Sequence, residues 1–297
     1  MENRNMLLLY NPAAGKGRAD VKIAEMAGVF ESHGWSVDAV PTMQGEAVFG
    51  QIKECSAGKD MIVTVGGDGT LALTVNGMLK NGIDIPLGYV PMGSTNDFGK
   101  SIGLSGNAIK TCERIAQGGI HPTDIGLFNG RYFVYIAAAG LFADASYATS
   151  PKLKKVFGHG AYLMTGLSTV PQSAQKNAFY RVETDEGVYE HECLFISASN
   201  SFRAGGVLNL PKDDISFSDG KFELLMVLTP KNFIDGATML KDVLNSDFGN
   251  DDCVYLKSSR FRITANTPVP WSLDGENGGE HSEADISVVP GAIKFVY

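Results

Sequence analysis

Apolar residues follow two rhythms along this chain, and the change falls near residues 120–130. Before it, short apolar runs alternate with longer segments of helical period. The runs MLLLYNP (6–12), SVDAVPT (36–42), MIVTV (61–65) and IPLGYVP (85–91) read as strands. The segments RADVKIAEMAGVFESHG (18–34), GEAVFGQIKECSAG (45–58), the stretch after GGDGT as far as Gly82, and NAIKTCERIAQGG (107–119) read as helices. Short strands joined by helices pair in parallel, with helices on both faces, so this half is predicted to be a doubly wound α/β layer.

After the change the texture is β-rich and turn-separated: TDIGLFNGRYFVYIAAAG (123–140), NAFYRVETDEGVYEHECLFISASN (177–200), GKFELLMVLTP (220–230), CVYLKSSRFRITANTPVPWSLDG (253–275) and ADISVVPGAIKFVY (284–297). Two helical patterns interrupt it, FGHGAYLMTGLSTV (157–170) and FIDGATMLKDVLN (233–245). A mainly antiparallel β domain, a sandwich rather than a barrel, is the expectation. The division is placed at 1–125 and 126–297, and no internal repeat crosses it.

Length supports two domains, since 297 residues exceed the usual single core. A net charge of −8 argues against a nucleic-acid binder, which needs a basic face to displace phosphate counterions. Cys55, Cys112, Cys193 and Cys253 are scattered and form no CxxC pair, which reads as reduced thiols in a cytoplasmic protein. The apolar run at the start is too short for a signal core, and no stretch approaches the roughly 18 apolar residues of a membrane span. Membrane contact is therefore expected to be peripheral.

Three βα turns of the first half carry the candidate chemistry: NPAAGKGRA (11–19), GGDGTLA (66–72) and PMGSTNDFG (91–99). In an open parallel sheet such turns leave the same carboxyl edge and can converge on one ligand. The first fails the pattern GxxxxGK[ST], because Gly17 follows Lys16, so a Walker-type site is not expected. The second matches GxGxxA as Gly67, Gly69 and Ala72, yet a dinucleotide fingerprint follows the first strand and encloses no acid. Asp68 is the anomaly. A helix N-terminus attracts anions, so a carboxylate there repels phosphate unless a cation lies between them. Alone, GGDGT can equally be a tight turn capped by Asp68 or Thr70.

Taken together, NPAAGKGRA, VGGDGTLALTVNGM and PLGYVPMGSTNDFGKSIGL resemble the diacylglycerol kinase catalytic family, which includes bacterial lipid kinases and sphingosine kinases and is distantly related to NAD kinases. The fragments TDIG (123–126), GLFADA (140–145), AGG (204–206), SDGKFEL (218–224) and LDGE (273–276) continue the resemblance in the family's order. It implies an α/β nucleotide domain followed by a β-sandwich, with the site in the cleft, and an ATP- and Mg2+-dependent transfer of phosphate to a lipid hydroxyl.

The resemblance also implies roles. Gly66, Gly67, Gly69 and Thr70 would hold nucleotide phosphates, and Asp68 would face Mg2+ directly or through water. Asn11, Pro12, Ala13, Ala14 and Gly15 would form a second wall of the ATP site, with Thr42 and Thr95 nearby. Asp97 and Asp124 would join Lys16 in a charged network, although Asp97 alone can cap a helix and Lys16 alone can be a loop cation. Glu276 matches the family's general base, with Asp274 in support; as a plain reading, DG is a common hairpin signal with solvated acids. In bacterial members the turn matching DISFSDGKFEL holds a structural Mg2+, here through Asp219 and the backbones of Ser216 and Lys221; a simple turn competes with that reading. Lys212, Asp213 and Asp214 stand where bacterial members commonly read Pro-Asp-Ala.

Lys152, Lys154 and Lys155 lie beside Val156, Phe157, Tyr162 and Leu163, a combination that either docks on a membrane surface or forms a solvated helix face. An NAD kinase shares GGDGT but carries a different loop in place of PMGSTNDFG. A third class, a lipid- or nucleotide-binding protein without catalysis, is opposed by the retention of Asp68, Asp97, Asp124, Asp274 and Glu276. The expected partners are ATP and a hydroxyl lipid, with no nucleic acid, and a symmetric homodimer is the common state for an enzyme of this size.

Overall fold

A computed structural model describes residues 4–140, 178–204, 208–211, 215–230, 239, 242, 245–248 and 251–297. The helical pattern at 157–170, the cluster of Lys152, Lys154 and Lys155, and the segment Lys212–Asp214 lie outside the described residues, as does most of the pattern at 233–245.

The first half is built of β1 (Arg4–Tyr10), α1 (Ala14–Ser32), β2 (Trp35–Pro41), α2 (Ala47–Cys55), β3 (Met61–Gly66), α3 (Asp68–Lys80), β4 (Leu87–Pro91), α4 (Asp97–Ser101) and α5 (Ala108–Gln117). Its four strands are parallel in the spatial order β4-β3-β1-β2, so the carboxyl ends of β1, β3 and β4 lie side by side. β3 is buried along its whole length, which accounts for its unbroken apolar run. Helix α5 starts where Asn107 accepts from the backbone N–H groups of Ile109 and Lys110, an N-cap that the sequence NAIK announces.

The second half adds β5 (Ile120–Phe128), β6 (Arg131–Phe133), β7 (Ile136–Gly140), β8 (Ala178–Glu183), β9 (Val188–Ser199), β10 (Arg203–Ala204), β11 (Leu208–Asn209), β12 (Phe222–Leu228), β13 (Cys253–Ser258), β14 (Arg260–Leu273) and β15 (Glu276–Val296). Apart from one contact, its pairings are antiparallel, as the alternating pattern predicts. The exception joins the two halves: the end of β15 pairs in parallel with β4, Phe295 opposite Leu87 and Val296 opposite Gly88. The main hydrogen-bonded path therefore runs β13-β12-β9-β7-β14-β15-β4-β3-β1-β2 across both halves. The fold is an α/β domain followed by a β-sandwich domain.

Two features correct the sequence reading of elements. Helix α1 begins at Ala14, inside the stretch read as a loop, and Gly15 and Gly17 take positive φ within it. Strand β15 begins at Glu276 rather than Ala284, because Gly278, Gly279 and His281 hide its period.

The apolar core has distinct parts. One cluster lies inside the β domain, around Trp271, Phe133, Phe222 and Phe261. Another runs from Leu7, Val75, Tyr89 and Phe98 of the first half to Ile136, Ala138, Leu225 and Val227 of the second. That shared core fixes the two halves against each other, so side chains from both can meet at one site.

Candidate active site

The three βα turns are tied together by their backbones. Gly15 N–H donates to Met92 O at 2.8 Å, and Met92 N–H donates to Gly66 O at 2.7 Å, linking the first turn to the third and the third to the second. Asn11 Nδ2 donates to Thr70 Oγ1 at 3.3 Å, and Asn11 Oδ1 accepts from Ala13 N–H at 3.0 Å. Thr42 N–H donates to Tyr10 O, which holds the end of β2 beside the first turn. The predicted convergence of loops is thus the observed geometry.

Glycine is required where the second turn meets the third and where the Thr70 side chain packs on the chain. A Cβ on Gly93 would stand 2.6 Å from the Cα of Gly67, and one on Gly66 would stand 2.5 Å from Thr70. This close approach lets free N–H groups at the start of α3 face a common space.

Asp68 is the first residue of α3, with Gly67 at the N-cap. Its Oδ2 accepts from Asp97 N–H at 3.3 Å, while its Oδ1 is buried with no hydrogen-bond partner among the described residues. Burial and then the Asp97 charge raise its pKa from 3.8 to about 6, against the lowering pull of backbone N–H groups of residues 96–98. Tyr89 and Tyr135, whose hydroxyls are pushed up by burial and by Asp68, line the same acidic space.

Asp274 and Gly275 form the two-residue turn between β14 and β15, with Leu273 opposite Glu276 and both turn residues at positive φ. The hairpin reading holds, yet the solvated-acid reading does not for Asp274. It is 3% exposed and accepts from the N–H groups of Val134, Tyr135 and Ile136 at 2.7, 2.9 and 3.2 Å. Burial raises its pKa from 3.8 to about 7 despite those bonds. Anchored by that turn, the exposed Glu276 reaches over α3: a Cβ on Gly69 would stand 2.6 Å from Glu276 Oε1. A residue 207 positions later in the chain therefore sits at the mouth of the glycine turn.

The other predicted acids are placed differently. Both carboxylate oxygens of Asp124 receive backbone N–H groups, Oδ2 from Gly220 at 2.6 Å and Oδ1 from Gly291 at 2.7 Å. It staples two turns of the β domain. Asp219 Oδ1 accepts from Lys221 N–H at 3.0 Å and Ser216 Oγ from Ser218 N–H at 3.4 Å, so that turn is closed by its own bonds. The side chain of Lys16 lies outside the described residues. Pro12 and Ala13 are exposed at the rim, Ala14 is buried, and Thr95 sits half-buried in the third turn.

Sequence reasoning missed Asn96. It adopts φ 52°, and its side chain closes the third turn, accepting from Gly93 N–H at 2.8 Å and donating to Gly93 O at 3.0 Å. The signal was present, because Asn is among the few non-glycine residues that enter the left-handed region readily.

A buried, unpartnered carboxylate oxygen beside a second acid fits Mg2+, a hard cation commonly held by one or two carboxylates together with substrate phosphates. Among the described residues, no group of three or more His, Cys, Asp or Glu side chains is gathered to hold a metal alone.

Residues 5–128 match the family model described as the diacylglycerol kinase catalytic domain. Residues 136–297 match one described as the YegS C-terminal NAD kinase beta sandwich-like domain. A diacylglycerol kinase of Staphylococcus carnosus (strain TM300) is 31% identical over 275 residues, covering 92% of this chain and 89% of that protein. A diacylglycerol kinase of Bacillus subtilis (strain 168) is 29% identical over the same span and shares. Among solved structures, a diacylglycerol kinase of Bacillus anthracis str. Sterne superposes with a TM-score of 0.79 at 20% identity, covering 100% of this chain and 98% of that one, a likeness of fold.

Proposed function

The chain belongs to the diacylglycerol kinase family, and from that premise we propose that it transfers the γ-phosphate of ATP, with Mg2+, to a hydroxyl of diacylglycerol or a related lipid. The observation that carries the reading is the meeting of Glu276 with Gly69 in the glycine turn that also bears Asp68, whose Oδ1 is buried and has no hydrogen-bond partner among the described residues.

In this reading Gly66, Gly67, Gly69 and Thr70 hold the phosphates through N–H groups and a hydroxyl at the positive end of α3. Asn11, Gly15 and Thr42 wall the nucleotide, and Thr95 with Asn96 closes the third side. Asp68, with Asp97 beside it, would hold Mg2+, whose charge would neutralise phosphate oxygens during transfer. Glu276 takes the proton of the acceptor hydroxyl as its oxygen bonds to the γ-phosphorus, and the bond to the bridging oxygen of ADP breaks. Asp274 carries no proton to the substrate; it fixes the turn from which Glu276 projects. Asp124 acts by holding the β-domain turns. The functional division at 1–125 and 126–297 belongs to the same proposal: the first part binds nucleotide and the second supplies the base and the acceptor site.

No helix among the described residues is long and apolar enough to cross a membrane, so the lipid is reached in this proposal by peripheral contact.

The test is transfer of labelled phosphate from ATP to hydroxyl lipids in mixed micelles, with NAD as a parallel acceptor. Label in lipid, lost in Asp68→Ala, is expected. Label in NAD alone would replace the proposal with an NAD kinase, and nucleotide or lipid binding without any transfer would favour the non-catalytic class.

A further inference from the structure

The β domain contains a buried polar row that the phosphoryl-transfer chemistry does not use. Glu223 of β12 is fully buried, and neither carboxylate oxygen has an aligned hydrogen-bond donor. Lys257 Nζ of β13 lies 3.2 Å from its Oε1 and is the one charge paired with it among the described residues. Ser197 Oγ, Ser199 Oγ and Asn200 Oδ1 are likewise buried and without hydrogen-bond partners among the described residues. All four residues are no more than 1% exposed. Each unfilled polar atom in such a place is costly, and native proteins seldom leave several together.

Register shows where the row leads. Glu223 lies opposite Ser199, Ser199 opposite Ile136, and Ile136 is bonded twice to Asp274, its N–H donating to the side-chain Oδ1 and its O accepting from Asp274 N–H. Three strand spacings therefore separate Glu223 from the strand bearing the Asp274 turn, roughly 14 Å. Alternation puts Glu223, Ser199 and Ser197 on the face of Leu225, Val227, Ile136 and Ala138, which is the face turned to the nucleotide domain. Asn200 extends the row toward the site, its N–H on Tyr135 O and its Nδ2 on Asp124 O, leaving Oδ1 free to accept.

The chemistry of the row is specific. It offers two bare acceptor oxygens, Glu223 Oε2 and Asn200 Oδ1, and two hydroxyls, with Glu223 Oε1 facing Lys257, so it suits a ligand rich in hydrogen-bond donors. Lys257 already balances the charge of Glu223, which removes the need for a cationic head. The acids at the Asp68–Asp274 end oppose an anionic one. What remains is a neutral polyol.

Resting on the proposed kinase reading, we infer that Ser197, Ser199, Asn200 and Glu223 form a subsite for the head of the acceptor lipid, selecting heads that carry neutral hydroxyls beyond the one phosphorylated. A glycosyl glycerolipid has such a head; diacylglycerol, with one hydroxyl, does not.

The test compares kcat/KM for a monoglucosyl diacylglycerol and for diacylglycerol of the same acyl chains, in mixed micelles, for the wild type, Glu223→Ala and Ser199→Ala. Ser199→Ala removes one hydroxyl and keeps the fold accessible should Glu223→Ala unfold, which thermal melting reports. The wild type is expected to prefer the glucosyl lipid about tenfold or more, and each variant to shrink that ratio, Glu223→Ala to within about twofold. A wild type with no preference, or a preference that survives both substitutions, overturns the subsite while leaving the kinase intact; buried water then fills the row. Absence of transfer to either lipid removes the kinase reading and the subsite together.

Discussion

Asp68 and Asp274 show how a residue's environment sets its charge. Both are carboxylates pushed up by burial, Asp68 to about 6 and Asp274 to about 7, and Glu223 likewise from 4.5 to about 7. An acid whose folded pKa lies above its unfolded value binds more protons when folded, so its stabilising contribution is complete below the unfolded value and is lost as pH rises through the folded one. The metal-free protein is thus expected to lose stability between about pH 4 and pH 7, measured by urea unfolding at a series of pH values in chelator. A flat or rising profile across that window would contradict the burial of these groups. At the same scale, Gly69→Ala would drive a methyl against Glu276 Oε1, the far end of a side chain, so the fold should survive while the proposed base is displaced. A fall in kcat of about a hundredfold with little change in melting temperature is expected; unchanged kcat would detach Glu276 from the chemistry.

Among elements, the turn between β4 and α4 depends on one unusual residue. Asn96→Ala loses both bonds to Gly93 and leaves a Cβ-bearing residue at φ 52°, a cost of about 3 kcal/mol, whereas Asn96→Gly keeps the backbone conformation and should cost about 1–2 kcal/mol. Denaturant melts of the two variants measure the difference, and equal costs would mean that the left-handed conformation matters little. Elements were legible where one force dominated. The buried run MIVTV and the capped helix NAIKTCERIAQ carry strong local signals, and the structure follows them. The start of α1 was hidden, because Gly15 and Gly17 read as loop while the bond from Gly15 to Met92 O, a long-range contact, anchors that turn. In β15, Pro290 and Gly291 interrupt the ladder between Val289 and Ile293, and Gly291 N–H turns to Asp124 instead. No local pattern announces that exchange.

For the whole molecule, the main lesson concerns distance in sequence. The three turns of the α/β half were legible as a group, since a parallel sheet brings the ends of β1, β3 and β4 to one edge. The place of Glu276 beside Gly69 was not legible from spacing, because it depends on the pairing of β15 with β4 and on Asp274 docking on the backbone of residues 134–136. Resemblance to the family named Glu276; geometry supplies its place at the turn. Asp124, expected in a charged network, accepts one backbone N–H on each oxygen, from Gly220 and Gly291, contacts that its spacing does not announce.

The most direct test of the account is single-turnover phosphate transfer from ATP to diacylglycerol by Glu276→Gln, alongside equilibrium binding of ATP to the same variant. If Glu276 is the base that meets the glycine turn, the transfer rate should fall by about 10²–10⁴-fold while ATP affinity stays within about threefold. A variant that transfers phosphate at the wild-type rate would contradict the meeting of the two domains at a catalytic carboxylate.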